Sequence, residues 1–291
     1  MCPIRKTNGN VAMENATADE VRPPPWSIAT VLADNMIALG DWTLFALHAV
    51  TGIFTRHMKF QELLITCSNI GVGSIGVVAI TGTFIGMVLA VQAYGEFHQI
   101  GLETSLGAVI HMSVVRELGP VLTAVMLAGR VGSAMAAQLG TMRVTEQIDA
   151  LTCLGVDPVR YLVSTRFLAA VLVIPILTIF ADIMGLLGSS FICLKVYGID
   201  AYHYWEHTRA YVGLWDVFIG LTKSMLFGGA IALIACHRGF HCTAGAEGVG
   251  KAATEAFVIS FVVILALDFV LAMLTITVQH WIWPVAATSA I

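Results

Sequence analysis

Charge is scarce in this sequence. Asp, Glu, Lys and Arg together make up 12% of its 291 residues, where a soluble domain carries about 25%. So few charges cannot cover a water-soluble globule of this size. Hydrophobic residues reach 57%, and the mean hydropathy is +0.83. A strongly basic balance is also missing: the formal net charge is -4, which gives no reason to expect nucleic acid as a partner. The six cysteines (Cys2, Cys67, Cys153, Cys193, Cys236, Cys242) are scattered, so no disulfide framework is implied. No HExxH, GxSxG or SxxK arrangement occurs, so no enzyme and no cofactor are expected. The first residues lack a basic stretch leading into an apolar run, and no cleaved signal peptide is expected.

What is present is a series of uncharged apolar runs near or above 20 residues. A chain in lipid must satisfy its backbone hydrogen bonds internally, so such runs predict membrane-spanning helices. Residues 1–25 read as a disordered tail. Residues 26–58 read as an interfacial amphipathic helix: Ser27, Asp34, Asp41, His48 and Thr55 recur every seven residues, giving one slowly drifting polar stripe. The alternative, a sixth span, would bury Asp34 and Asp41 at about 2.5–3.5 kcal/mol each. Residues 59–283 read as a five-span domain, with spans near 62–96, from 104 to past 130, 167–194, 216–236 and 254–280. A short tail, 284–291, follows. The fold class is therefore all-α and polytopic, an interfacial helix plus five transmembrane helices. With the N-terminus inside, 11 of the 15 Lys and Arg residues fall on the cytoplasmic side. This predicts a cytoplasmic N-terminus and a C-terminus on the opposite face.

Two motifs invite over-reading. Gly245 to Ala252 nearly matches a P-loop, but position 252 is alanine where a Mg²⁺-binding Ser or Thr is required, and it follows an apolar helix rather than a strand. It reads as a flexible turn within a glycine-rich loop, 237–253. Cys236, His237, His241 and Cys242 could supply four zinc ligands, yet Cys236 and His237 are adjacent and the C-x₂₋₄-C spacing is absent. No metal site is expected there. Gly82-Thr-Phe-Ile-Gly86 is a GxxxG pattern, which permits close helix approach and weakly suggests a dimer face.

The most informative stretch begins Arg116-Glu-Leu-Gly-Pro120 and runs through Ala128-Gly-Arg130, Gly140-Thr-Met-Arg-Val-Thr-Glu-Gln-Ile-Asp149 and Gly155-Val-Asp-Pro158. It resembles the MlaE/YrbE family of ABC-transporter permeases, whose pattern is close to RELGPVLTAxxxAGRxGxAxAAELGTMRVTEQIDALxxxGxDP. The likeness covers roughly residues 60–280 and extends to Thr243–Thr254 and Leu267–Val270. One departure is Gln138, where the family often has Glu. The resemblance implies a homodimeric permease in the bacterial inner membrane that moves phospholipid or a related lipid. It also implies a separate ABC ATPase subunit, an MCE-domain protein and, in many complexes, a STAS-domain subunit.

The residues themselves suggest three sites. Arg116 and Glu117 lie at membrane depth before Gly119-Pro120. With Phe84, Met87, Val88, Val91, Phe269 and Met273 they could line a lipid cavity between two protomers. Being about 100° apart on a helix, the two charges are not expected to face the same neighbour. Asp182 and Lys223 lie at matching depth on consecutive spans and are expected to pair, with Lys223–Asp268 as second choice. Leu139 to Leu154, within a coupling segment 139–156, is expected to form one short helix. Met142, Ile148 and Leu151 would share its apolar side, and Arg143, Glu146, Gln147 and Asp149 its polar side, docked on the ATPase. The alternative function is a secondary transporter or channel using Asp182, Lys223 and Asp268.

Overall fold

A computed structural model of the chain describes residues 28–55, 60–101, 103–243 and 245–282. The two expected tails lie outside the described residues. Among the described residues there is no strand. The helices are α1 Ile28–Thr55, α2 Phe60–Gln99, α3 Leu106–Ser113, α4 Gly119–Leu127 and α5 Ser133–Val144. They continue as α6 Gln147–Cys153, α7 Ser164–Phe191, α8 Ala201–Tyr211, α9 Leu214–Phe240 and α10 Ala246–Ile282. Among the described residues, five helical runs are long and apolar enough to cross a membrane: Phe60–Gln99, Leu106–Val144, Val159–Val196, Leu214–Phe240 and Ala246–Val278. The protein is an all-α polytopic membrane protein.

The second run is α3, α4 and α5 joined by π-helical turns at Val114–Leu118 and Ala128–Gly132. Pro120 has no N–H to bond the fourth residue back. The wider turn immediately before Gly119-Pro120 lets the helix change register there and continue. Two further π-turns, Val159–Val163 and Ile192–Val196, flank α7. The expected glycine-rich loop over 237–253 is much shorter than its composition suggests. α9 persists to Phe240 and α10 begins at Ala246, so the P-loop-like run is mostly the first turns of a long helix. Gly245, at φ +92°, makes the reversal that a side chain would oppose.

The chain divides into two compact units, Met1–Leu44 and Phe45–Ile291. In the first, Asp41 and the apolar Met36, Ile37 and Leu44 are all exposed. The Ser27 and Asp34 side chains of the polar stripe lie outside the described residues, as does that of Thr55. In the second unit, the Phe45 ring lies edge-on to His237 and Phe240. Ser164 donates its hydroxyl to the Ala49 carbonyl at 2.8 Å.

The bundle core is a cluster that includes Leu127, Val131, Ile174, Leu177, Phe227 and Ile231. The closest helix approach joins α2 to α7. A Cβ on Gly82 would sit 2.6 Å from the Ala181 carbonyl oxygen, and one on Gly86 would overlap the Gly185 carbonyl. The GxxxG pattern is thus consumed inside the chain, against α7, rather than presented to a second copy. Small residues let the two backbones meet, which is what helix association in lipid requires. Near the end of the bundle where α2 finishes, Tyr94 and Tyr197 stack at 3.7 Å.

Candidate functional site

The charged residues of the spans meet around α9. Lys223, only 2% exposed, donates from Nζ to Asp268 Oδ1 of α10 at 3.1 Å. It also donates to Glu117 Oε2, on the π-turn before α4. Two turns earlier on the same face of α9, Asp216 Oδ1 accepts from Arg116 Nε at 2.5 Å. Its other oxygen accepts from the Gly213 N–H at 2.8 Å, which caps the start of the helix. Adjacent Arg116 and Glu117 therefore both reach α9, contrary to the expectation that they face different neighbours. Asp216 and Lys223 are seven residues apart and lie on one face. Long side chains from the π-turn bridge to each. A cation at this depth is costly alone, and two carboxylates flank it here.

Asp182 is not part of this arrangement. Its carboxyl lies against Gly119, its Oδ1 is buried without a hydrogen-bond partner, and Lys223 is bonded to Glu117 and Asp268 instead. The expected Asp182–Lys223 pair is thus replaced by the second choice plus a partner from the Arg116-Glu117 motif. The two residues point to different neighbours around their helix axes.

Glu117 is 45% exposed on its side chain, so the trio opens toward the surface of the single chain. Phe84, Val88 and Val91 form an exposed stripe on α2, with Met87 half-buried, and Phe269 and Met273 are exposed on α10. The apolar stretch of α10 is only 11% buried, against 61% for that of α9. These greasy faces are free of the chain's own core. Among the described residues no set of three or more His, Cys, Asp or Glu side chains could hold a metal ion. Cys236 is fully buried, whereas Cys242 is turned toward the Thr243 carbonyl at 3.2 Å.

The profile of the family described as "Permease MlaE" matches residues 63–274. The chain belongs to the MlaE permease family. It is 42% identical over 228 residues to a probable ABC transporter permease protein of Synechocystis, covering 78% of this chain and 85% of that one. It is 37% identical over 235 residues to the intermembrane phospholipid transport system permease protein MlaE of Haemophilus influenzae, covering 80% and 90%. It is 39% identical over 228 residues to the chloroplastic protein trigalactosyldiacylglycerol 1 of Arabidopsis thaliana, covering 78% and 65%. This MlaE-family chain is an ABC permease.

The family segment after α5 differs from the single helix expected over Leu139–Leu154. α5 runs to Val144, Glu146 takes a left-handed backbone at φ 59°, and α6 starts at Gln147. The break turns Ile148 into the bundle, where it is buried, and Leu151 is half-buried. Met142 is half-buried too. Arg143, Glu146, Gln147 and Asp149 remain exposed, with Arg143 Nη1 2.5 Å from Asp149 Oδ1. Leu154, 77% exposed, stands at the tip.

Two features are not evident from span patterning. Asp216 marks the start of a span, and its place three residues after Gly213 is a helix-start signal. The other is a buried network in which His111 Nε2 lies 3.0 Å from Tyr204 Oη and 3.3 Å from Ser189 Oγ. Burial pushes the Tyr204 phenol up to about 12, so it stays a neutral hydrogen-bonding group. Nothing in the spacing of these three residues signals their meeting.

Proposed function

We propose that this permease moves phospholipid or a related lipid between membranes, driven by ATP hydrolysis on a separate subunit. The observation that carries the reading is the Glu117–Lys223–Asp268 trio, open to the surface at Glu117, in a chain that leaves apolar stripes of α2 and α10 exposed. A phospholipid needs both parts: charged groups to position its headgroup and greasy walls for its chains. Two copies of the chain would enclose that space, with Phe84, Met87, Val88, Val91, Phe269 and Met273 as walls and Arg116 and Glu117 at headgroup level. Homodimer formation, an inner-membrane location with the N-terminus cytoplasmic, an MCE-domain partner and a STAS-domain partner belong to the same reading. So does the interfacial placement of 26–58. The names of the Haemophilus and Arabidopsis relatives support a lipid cargo by similarity.

Photocrosslinkers at Phe84, Val88 and Arg116 in the reconstituted complex are expected to capture radiolabelled phospholipid. Labelling confined to lipid-facing positions elsewhere, with these three silent, would remove the cavity.

The polar face of residues 139–156 is assigned to the ATPase. Arg143, Glu146, Gln147 and Asp149 are exposed there beside the protruding Leu154. Glu146→Lys is expected to leave membrane insertion intact while uncoupling ATP hydrolysis from lipid movement. Normal hydrolysis together with normal transport in that variant would sink the docking assignment.

A further inference from the structure

A cavity with charged walls also lies away from the trio. It measures about 430 Å³ and lies between the start of α2, the α4–α5 π-turn and the start of α7. Its lining includes Arg130 and Arg166, one carboxylate (Glu62), and the neutral hydrogen-bonding groups of Asn69, Gln138 and Tyr161. Such a volume suits a small ligand or a headgroup. Two cations against one anion leave the lining formally at +1.

The partners of these arginines set them apart. Among the described residues, the other basic side chains at this end of the bundle are matched. Arg143 meets Asp149, Arg160 meets Asp157, and Arg238 and Lys251 both meet Glu255. Arg130 and Arg166 have no carboxylate within ion-pair distance there. Arg166 donates one N–H to its own helix, to the Leu162 carbonyl at 2.9 Å. Glu62 accepts from the Tyr161 hydroxyl at 3.4 Å and so is already engaged. A guanidinium carries five donors in a planar fork suited to phosphate, and most of those here are unspent.

The backbone also makes room. Arg130 sits on the π-turn Ala128–Gly132, and its Nη2 lies 2.8 Å from where a Cβ on Gly73 would be. Only glycine lets the guanidinium lie so close over α2. The depth is informative too. If the middle of each long run is taken as the bilayer centre, with a core of about 30 Å, Gly73 and Arg130 lie roughly 5–7 Å inside the hydrocarbon edge. Arg166 then lies at that edge and Glu62 about 10 Å outside it. The cavity straddles the layer where lipid phosphates reside.

We propose that this cavity is a second site, distinct from the Glu117–Lys223–Asp268 trio, that binds a phosphate ester through Arg130 and Arg166. Its occupant is the phosphate of an anionic lipid headgroup or a soluble phosphate of the same chemistry. The choice of a lipid source rests on the lipid-transport reading; the phosphate site itself does not.

The test uses the full-length chain without any ATPase, so it is independent of transport. Retention of phosphatidic acid against phosphatidylcholine from mixed nanodiscs would be read by native mass spectrometry. Inorganic phosphate and glycerol 3-phosphate would serve as soluble competitors. Wild type is expected to retain phosphatidic acid preferentially. Arg130→Gln/Arg166→Gln is expected to lose at least about tenfold of that preference, with Arg238→Gln, on a matched pair, unchanged. Gln138→Glu is the safeguard against misfolding. It is close to isosteric at an exposed position, adds one negative charge to the lining, and is expected to weaken retention about as much. Competition by the soluble phosphates would identify a free phosphate ester as an occupant, and its absence would identify the lipid. No preference in wild type, or full preference in Gln138→Glu and in the double variant, would overturn the proposal. Phosphate retention by a chain whose reconstituted complex moves no lipid would count against the lipid-transport reading and leave this site standing.

Discussion

Lys223→Met is expected to destabilise the protein by about 3–5 kcal/mol and to abolish transport. The side chain is 2% exposed and donates to carboxylates from two other parts of the chain, Glu117 and Asp268. Methionine has a similar length and suits an apolar setting, so lost packing contributes little. The cost comes from the carboxylates. Without the ammonium they face each other in low dielectric, and one must take up a proton or the helices must part. Glu117, at 45% side-chain exposure, can be partly rescued by solvent or lipid headgroups. Asp268, at 24%, is helped less. Thermal unfolding of the purified chain in detergent checks the stability loss, and lipid movement in proteoliposomes checks the function. The triple change Lys223→Met/Glu117→Gln/Asp268→Asn is expected to regain most of the stability and none of the transport. A single variant as stable as wild type would show that the trio is not an energetic unit.

Gly86→Val is expected to prevent accumulation of folded protein, an effect above the roughly 4–5 kcal/mol that marks an exceptional substitution. Ordinary overpacking costs about 1–3 kcal/mol because side chains can shift aside. At Gly86 the obstacle is the Gly185 backbone carbonyl, which cannot move without its helix. The neighbouring contacts have the same character, Gly82 against the Ala181 carbonyl and Gly188 against the Thr83 carbonyl. Relief would need α2 and α7 to separate along the whole seam, forfeiting the close packing that substitutes for a hydrophobic drive in lipid. Gly76→Val is the matched control on the same helix, since nothing lies within 4 Å of a Cβ there. It is expected to behave as wild type. Quantification of membrane-inserted protein and resistance to limited proteolysis separate the two variants. Equal yields of folded protein would show that the seam is looser than described.

Some of this was legible in one dimension. The span count follows from hydropathy and length alone, because a bilayer demands about 20 apolar residues with their backbone bonds made internally. The motif from Arg116 to Pro158 identified the family by its residues, and the glycines of α2 announced a close helix contact. Azimuth was not legible. Depth arithmetic put Asp182 and Lys223 at one height, but rotation about the helix axes set Asp182 against Gly119 and Lys223 between Glu117 and Asp268. The π-turns were equally hidden: the one at Val114–Leu118 lets adjacent Arg116 and Glu117 both reach α9, where a regular helix predicted divergence. The sequence by itself determined how many times the chain crosses the membrane and which charges enter it, since both depend on local transfer energies. Only the tertiary structure decided which charges meet, which glycines touch backbone and where unmatched arginines share a cavity. Those outcomes depend on helix rotation and register, which are set by packing among residues distant in the chain.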